Sequence, residues 1–204
     1  MPPLPPAARL TTEEALIQRT IGPPKRLTGP IPIHDYDPRW PAMYAHEETR
    51  ISSALGPVAL AVQHVGSTAV PGLAAKFMID IDLIVADPTD ESLYVPALEK
   101  AGYVLRIREP AWYEHRLFKS YEPEVNLHVF GPDCDEYLRH MILRDWLRAH
   151  PDDRDLYAAE KRRIARQSLT FMAQYSDQKS TVILEILQRA GLRHGEGLRR
   201  AVAY

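Results

Sequence analysis

The chain has 204 residues, 45% hydrophobic and 25% charged, which is typical of a globular protein with one substantial core. Its formal net charge of −2 gives no overall attraction to nucleic acid or to an anionic membrane surface. The single cysteine, Cys134, excludes an intrachain disulfide and a cysteine-based metal site. Since neither a membrane span nor a signal peptide is visible, no membrane partner and a cytoplasmic location are expected.

Clustered prolines mark the start of the chain and predict three segments. Residues 1–30 are expected to be a proline-rich extension around a short helix over residues 12–19, which either wraps around the domain or stays mobile. Residues 31–190 are expected to form the domain, with a helical part over residues 133–190. Residues 191–204 are expected to be a C-terminal tail.

The first firm element is a helix over residues 37–55. Asp37 is a suitable N-cap and Pro38 suits the first helical position. Apolar residues recur at helical spacing until Gly56 ends the helix.

Strand-like segments follow, separated by loops and one helix over residues 90–100. The five strands are predicted over residues 58–65, 78–85, 103–108, 114–120 and 124–130. The last of these alternates cleanly, so its apolar and polar residues lie on opposite faces. The apolar face carries Val125, Leu127 and Val129, and the polar face carries Glu124, Asn126 and His128.

The last third of the chain has helical periodicity. Asp133, Pro151 and Ser176 mark the predicted starts of helices over residues 134–150, 151–167 and 177–190. The order of elements predicts an α+β fold: a mixed sheet of about five strands with flanking helices and a helical C-terminal third.

Two aspartates interrupt the apolar strand over residues 78–85. Asp80 and Asp82 are two residues apart, so their carboxylates project from the same face of the strand. Paired carboxylates repel each other and are costly to bury, so the pair indicates a bound cation. Oxygen ligands favour Mg²⁺ or Mn²⁺, which commonly also hold substrate phosphates.

A small turn, Gly66-Ser67-Thr68, follows the preceding strand. Such a turn lets backbone amides and a hydroxyl approach phosphate oxygens closely. Twelve residues separate Ser67 from Asp80, and this arrangement resembles the signature of the nucleotidyltransferase superfamily.

The resemblance narrows to one family. The block from His64 to Lys76, followed by Ile79-Asp80-Ile81-Asp82, is similar to the GrpB (UPF0157) family. The similarity covers roughly residues 31–190 and is carried by further stretches: Asp37 to Trp40, Asn126 to Phe130, Leu143 to Arg148, Tyr157 with Lys161, and Tyr175 to Lys179.

The resemblance implies a nucleotidyltransferase fold in which Asp80 and Asp82 bind a divalent metal. In the wider superfamily a third carboxylate from a neighbouring strand is often a further ligand or the general base. Here the corresponding strand has no central aspartate, so His128 is the candidate catalytic base or ligand, and Glu124 is the alternative ligand.

Further residues are predicted to bind the nucleotide or its phosphates: His64, Gly66, Ser67, Thr68, Lys76, Arg116, Lys161 and Lys179. Tyr157 and Tyr175 either stack on a base or pack onto the core. The three tryptophans are assigned to packing: Trp40, Trp112 and Trp146.

The expected function is transfer of a nucleotidyl group from an NTP to a small-molecule, protein or RNA acceptor, with Mg²⁺ or Mn²⁺ as cofactor. Asp80, Asp82 and His128 are the predicted catalytic residues. The missing third aspartate motivates an alternative, a non-catalytic regulatory module that binds nucleotide and metal. A metal-dependent hydrolase or phosphotransferase is a third hypothesis.

Overall fold

Five strands form one mixed sheet in the order β1-β2-β5-β4-β3 in a computed structural model that describes residues 1–5 and 11–193. The parallel pair is β2 with β5, and the other three neighbouring pairs are antiparallel. The strands are β1 (Ala61–Val65), β2 (Ile79–Ile84), β3 (Val104–Glu109), β4 (His115–Tyr121) and β5 (Glu124–Phe130).

Six α-helices accompany the sheet in the described part of the chain, and three of them make up its last third. They are α1 (Glu13–Arg19), α2 (Trp40–Leu55), α3 (Val95–Lys100), α4 (Asp135–Ala149), α5 (Pro151–Ala165) and α6 (Met172–Arg189). The predicted α+β fold with a five-stranded mixed sheet and a helical C-terminal third is therefore confirmed.

Several predicted helix starts are wrong, each for a local reason. Helix α2 begins at Trp40 because the Asp37 carboxylate accepts hydrogen bonds from the backbone and side chain of Arg39, and Pro41 lies in the first turn instead of Pro38. Helix α6 begins at Met172, five residues before the predicted start, because the Gln174 side chain accepts from the Phe171 backbone N–H.

Two further boundaries move by a few residues. Helix α4 begins at Asp135, with Cys134 in the N-cap position predicted for Asp133. The helix predicted over residues 90–100 is divided into a 3₁₀ turn, Glu91–Leu93, and the shorter α3.

One face of the sheet is apolar and packs against α2 and α3. Ile81 and Leu127, on the central strands, are fully buried there. Trp40 and Ile51 of α2 pack in the same cluster, as predicted for Trp40. Burying each such side chain contributes about 1.5–3 kcal/mol, so this face is the main stabilising core.

The opposite face of the central strands is polar, and the helical third lies over it. Apolar contacts join the two parts, with Val70 and Leu73 after β1 packing against Leu147, Tyr157 and Ile186. The helices also bind carbonyls at the end of β1 and in the loop that follows it. Arg144 donates to the carbonyl of His64 at 3.1 Å, Arg148 to that of Ala69 at 2.7 Å, and Lys161 to that of Ala74. These contacts anchor the helical third to the segment that precedes β2.

The described residues of the N-terminal segment contact the rest of the chain. Leu4 is buried beside Leu187 and Leu192, and Arg139 donates to the carbonyl of Pro3 at 2.7 Å. Thr20 forms a bridge with Ile107 on the edge strand β3. Most of the predicted tail over residues 191–204 lies outside the described residues. Within the described ranges, no helix combines the length and the apolar character that crossing a membrane requires.

Candidate functional site

The two aspartates lie side by side on the polar face, at the centre of the sheet. Asp82 is completely buried, and its Oδ2 accepts a hydrogen bond from His140 Nδ1 at 2.8 Å. Its other oxygen, Oδ1, is buried without a hydrogen-bond donor among the described residues. Asp80 is half-buried and accepts from Asn126 Nδ2 at 2.7 Å. The pair therefore has one buried carboxylate oxygen to offer to a further cation or donor.

The Gly66 turn brings the backbone directly against Asp80. Gly66 has φ +68° and ψ −167°, a conformation that is essentially restricted to glycine. A Cβ at this position would lie 2.6 Å from Asp80 Oδ2. The next residue, Ser67, accepts a hydrogen bond from Lys161 Nζ at 2.8 Å. Glycine is thus required both by the conformation and by the close approach.

His64 and Thr68 support the turn from the other side of the sheet. His64 pairs with Ile81, so it shares the apolar face, and its ring stacks on Tyr44 at 4.6 Å between centroids. Thr68 donates to the carbonyl of Met78 at 3.1 Å, so His64 Nε2, 3.1 Å from the Thr68 hydroxyl, must be a donor. Neither side chain reaches the aspartate face, and both hold the turn in place.

Burial lowers the pKa of His64 to about 4, so the stability of the protein should depend on pH in a defined window. The unfolded chain takes up a proton below about pH 6.5 that the folded state refuses until about pH 4. The wild type should therefore lose roughly 2–4 kcal/mol relative to His64→Gln as the pH falls through that window. Urea unfolding of both proteins between pH 7 and 4 measures this, since glutamine keeps an N–H donor and does not titrate. Parallel pH profiles would contradict it.

Lysines gather around Asp80. The chain has six lysines, and the Asp80 carboxylate acts on the pKa of four of them: Lys76, Lys119, Lys161 and Lys179. Burial lowers the pKa of all four, whereas Asp80 raises it. Every ion pair among the described residues is made by an arginine or a histidine. The four lysines, hereafter the lysine group, therefore lie near Asp80 without forming an ion pair with any carboxylate of the described residues.

Hydrogen bonds and register connect the lysine group to the site. Lys119 lies directly opposite Asn126 on the β4–β5 ladder, and Asn126 binds Asp80. Lys161 is almost fully buried and contacts Ser67 and the carbonyl of Ala74. The group thus draws on strands and helices that are far apart in the sequence.

The two predicted tyrosines pack beneath lysines. Lys161 Nζ lies 4.6 Å from the ring centre of Tyr157, and Lys179 Nζ lies 4.8 Å from that of Tyr175. Both rings are buried in the apolar clusters of the helical third. Packing, the second of the two predicted roles, therefore describes these tyrosines.

Histidines occupy the Asp82 end of the face. His128 lies opposite Asp82, and its Nδ1 is 3.0 Å from His115 Nε2. Burial lowers the pKa of His128 well below its usual value, so the ring is neutral. Burial also opposes charge on His140, but the Asp82 carboxylate outweighs it and raises the pKa to about 9. The face therefore has a neutral histidine and a protonated one beside the same aspartate.

Two further predicted site residues, Arg116 and Glu124, do not lie opposite either aspartate. Arg116 pairs with Val129 in the ladder, which places it on the apolar face, and its Nε donates to Glu91 at 2.8 Å. Strand alternation thus carries its side chain away from the aspartates. Glu124 is exposed on the polar face, one step beyond Asn126, and raises the pKa of Lys76 and Lys119. It lies beside the lysine group and not opposite Asp82.

The oxygen atoms of the site fit a hard divalent cation. Asp82 Oδ1 and Asn126 Oδ1 are both buried and without partners among the described residues. No group of three or more His, Cys, Asp or Glu side chains in residues 1–5 and 11–193 has a metal-binding arrangement. Mg²⁺, however, is usually held by one or two carboxylates together with water and substrate phosphates. Asp80 and Asp82 meet that requirement.

Lys119 and His140 were not among the residues predicted from the sequence. Lys119 shares the alternation of His115 and Leu117 in β4, which was available as a signal. On α4, Glu136, His140 and Arg144 recur every four residues, a polar stripe that indicates one helix face. Neither pattern, however, indicates which aspartate lies next to these side chains.

The fold and the site together define an α+β protein whose mixed sheet presents an Asp-x-Asp pair and a glycine-serine turn beneath a helical cover. The sequence model of the family described as "GrpB protein" matches residues 30–189. A UPF0157 protein of Halalkalibacterium halodurans is 49% identical, covering 93% of this chain and 98% of that protein. Another UPF0157 protein, from Streptomyces coelicolor, is 46% identical over 84% of this chain and 89% of that one.

A solved structure is also similar to this chain. The crystal structure of conserved protein GrpB from Enterococcus faecalis has a TM-score of 0.64 and 25% identity, covering 78% of this chain and 98% of that chain. The chain belongs to the GrpB (UPF0157) family.

Proposed function

We propose that this protein is a metal-dependent nucleotidyltransferase that moves a nucleoside monophosphate group from an NTP to an acceptor. The observation that carries the proposal is the concentration of four of the six lysines around Asp80, next to Asp82 and the Gly66 turn. Cations without carboxylate partners suit a polyphosphate, and the adjacent carboxylates suit the metal that accompanies it.

Asp80 and Asp82 would hold Mg²⁺ or Mn²⁺, which when bound supplies Lewis-acid neutralisation of phosphate charge. The lysine group would bind the phosphates that leave as pyrophosphate. Gly66 lets the backbone approach the same oxygens without a side chain between them. His128, as a neutral imidazole, would accept the proton of the attacking group. The helices over the polar face would keep bulk water from competing with the acceptor.

The acceptor is a nucleophile on a small molecule, a protein or RNA. We place the protein in the cytoplasm, where its single buried thiol, Cys134, would stay reduced.

The direct experiment combines the full chain with Mg²⁺ or Mn²⁺ and each of the common NTPs labelled at the α-phosphate. Pyrophosphate release and label transfer are then followed with small-molecule, protein and RNA fractions as acceptors. The proposal requires metal-dependent release of pyrophosphate with at least one fraction. It fails if no NTP binds and no pyrophosphate appears under any of these conditions.

A non-catalytic nucleotide- and metal-binding module is the second candidate. The observation that favours it is the register of β5, which places Asn126 opposite Asp80 and His128 opposite Asp82, where a third carboxylate would otherwise complete the site. In that case NTP would bind, pyrophosphate would not be released, and calorimetry would show binding that does not depend on Asp80.

Lys119→Met should weaken NTP binding by roughly 10- to 100-fold, because a hydrogen bond to a charged group contributes about 1.5–3 kcal/mol. Methionine keeps the apolar stem and removes only the ammonium group. Calorimetry with a non-hydrolysable NTP measures the change. The matched control is Lys100→Met, since Lys100 is exposed at the end of α3 and that helix packs on the other face. Equal affinities of the two variants would contradict a phosphate-binding role for Lys119.

A further inference from the structure

A chain of polar side chains runs from helix α1 into the site and ends on His128. Arg19 Nη1 donates to Glu109 Oε1 at 2.5 Å. The other oxygen of Glu109, Oε2, is 2.7 Å from His115 Nδ1, and His115 Nε2 is 3.0 Å from His128 Nδ1. His115 is almost fully buried and the Glu109 side chain is 16% exposed, so these contacts have little competition from water. The reaction proposed above uses only the last member of this chain.

Aromatic packing fixes the rings in this order. His115 stacks on Phe130 with centroids 4.8 Å apart and lies edge-on to Trp112 at 5.1 Å. The His115 and His128 rings are inclined by 24° with centroids 5.2 Å apart. A ring that packs against two aromatic side chains and is hydrogen-bonded at both nitrogens cannot flip without breaking several contacts, so the hydrogen-bond directions are set by the groups at the two ends of this series.

The direction of each hydrogen bond from Glu109 to His128 follows from which atoms can donate and which can accept. The Glu109 carboxylate can only accept, so His115 donates from Nδ1. In the tautomer with its proton on Nδ1, His115 carries its lone pair on Nε2 and accepts from His128. His128 therefore has its proton on Nδ1.

We propose that Glu109 and His115 are positioning residues that keep the proton of His128 on Nδ1, so that the lone pair of His128 is on Nε2. The inference rests on the proposed function in so far as that function gives His128 a role. It names the atom: Nε2 is the nitrogen that takes the acceptor's proton or binds a cation. A carboxylate that orients a histidine through its far nitrogen is a common device at catalytic and metal sites, and here a second histidine lies between the two.

Stability alone is a poor explanation for this arrangement. Burying charged groups carries a desolvation penalty, and a buried ion pair is often no more stabilising than apolar residues of similar volume. A fixed carboxylate, in contrast, defines the direction of every hydrogen bond beyond it.

The test is nitrogen NMR of the full chain with ¹⁵N-labelled imidazoles, recorded near neutral pH without metal or nucleotide. We expect a proton on Nδ1 and an unprotonated, pyridine-type Nε2 for both His115 and His128. The spectra of His115→Gln and His128→Gln assign the signals among the eight histidines. A doubly protonated His115 with the proton of His128 on Nε2 would overturn the proposal.

Glu109→Gln supplies the perturbation, because a glutamine amide can turn its NH₂ towards His115 and reverse every direction in the chain. The pyridine-type signal of His128 Nε2 should be lost or strongly reduced. The control is Glu91→Gln, which removes a carboxylate paired with Arg108 and Arg116 beside β4, on the other side of the sheet. An unchanged His128 signal in folded Glu109→Gln would count against the proposal, and the wild-type spectrum decides if that variant does not fold.

The two proposals can fail separately. If the wild-type spectrum shows the expected tautomer but no pyrophosphate is released with any acceptor, the nucleotidyltransferase proposal fails and the positioning role stands. If transfer occurs while His128 carries its proton on Nε2, the reverse holds.

Discussion

Asp80→Asn is expected to reduce the rate of Mg²⁺-dependent nucleotidyl transfer by about a thousand-fold. Metal-assisted charge stabilisation is worth several kcal/mol, and each 1.36 kcal/mol changes the rate about tenfold. The amide keeps the size of the side chain and can still bond to Asn126, so the fold should be retained. Pyrophosphate release under saturating Mg²⁺ measures the rate. Asp87→Asn is the control, because Asp87 is exposed and its side chain bonds only to Thr89 among its described neighbours.

The same substitution should have the opposite effect when metal is absent. Asp80 is the carboxylate that all four members of the lysine group have in common. Its removal takes a negative charge away from the lysine group, so the affinity for inorganic triphosphate in EDTA should rise. A fall in affinity under those conditions would show that Asp80 and the lysines do not share one site. A variant with unchanged NTP affinity in both conditions would favour the non-catalytic module.

Gly66→Ala is expected to damage both the fold and the site. The φ and ψ values of Gly66 belong to a region that costs other residues about 1–3 kcal/mol. The new methyl group would also lie 2.6 Å from Asp80 Oδ2, so the carboxylate or the turn must move. Urea unfolding should show the loss of stability, and Mg²⁺-dependent NTP binding should fall by at least about tenfold, the equivalent of 1.4 kcal/mol.

Gly56→Ala separates the two causes. Gly56 also has a positive φ, +53°, but a Cβ there would meet no atom within 4 Å. This control therefore reports backbone strain without the contact to Asp80. If both variants retain NTP binding equally well, the close approach of Gly66 to Asp80 has no importance for the site.

The charge distribution of the polar face explains why these experiments discriminate. The lysine group lies at the Asp80 end, and the histidines lie at the Asp82 end. The proposed function therefore assigns phosphate binding and proton transfer to different ends of one face, with the proposed metal ligands between them. Substitutions at one end should change affinity, and substitutions at the other should change turnover.

Local sequence patterns predicted several residues of this site. The alternation in residues 124–130 placed Asn126 and His128 on one face, and the spacing of Asp80 and Asp82 put their carboxylates together. The same pattern was misleading at Arg116, because the sequence of β4 does not state which face pairs with the aspartates. Helix starts also moved where a side chain, such as that of Gln174, bonded to a backbone N–H ahead of the apolar pattern.

By itself, the sequence determined the α+β class, the aspartate pair and the glycine turn, because strand periodicity and backbone conformation are local properties. Only the tertiary structure decided that lysines from the β1–β2 loop, β4, α5 and α6 meet at Asp80, and that His140 binds Asp82. These contacts join residues far apart in the sequence, since Lys161 and Ser67 alone are 94 positions apart, and their partners are set by strand register and helix packing, which no local pattern specifies.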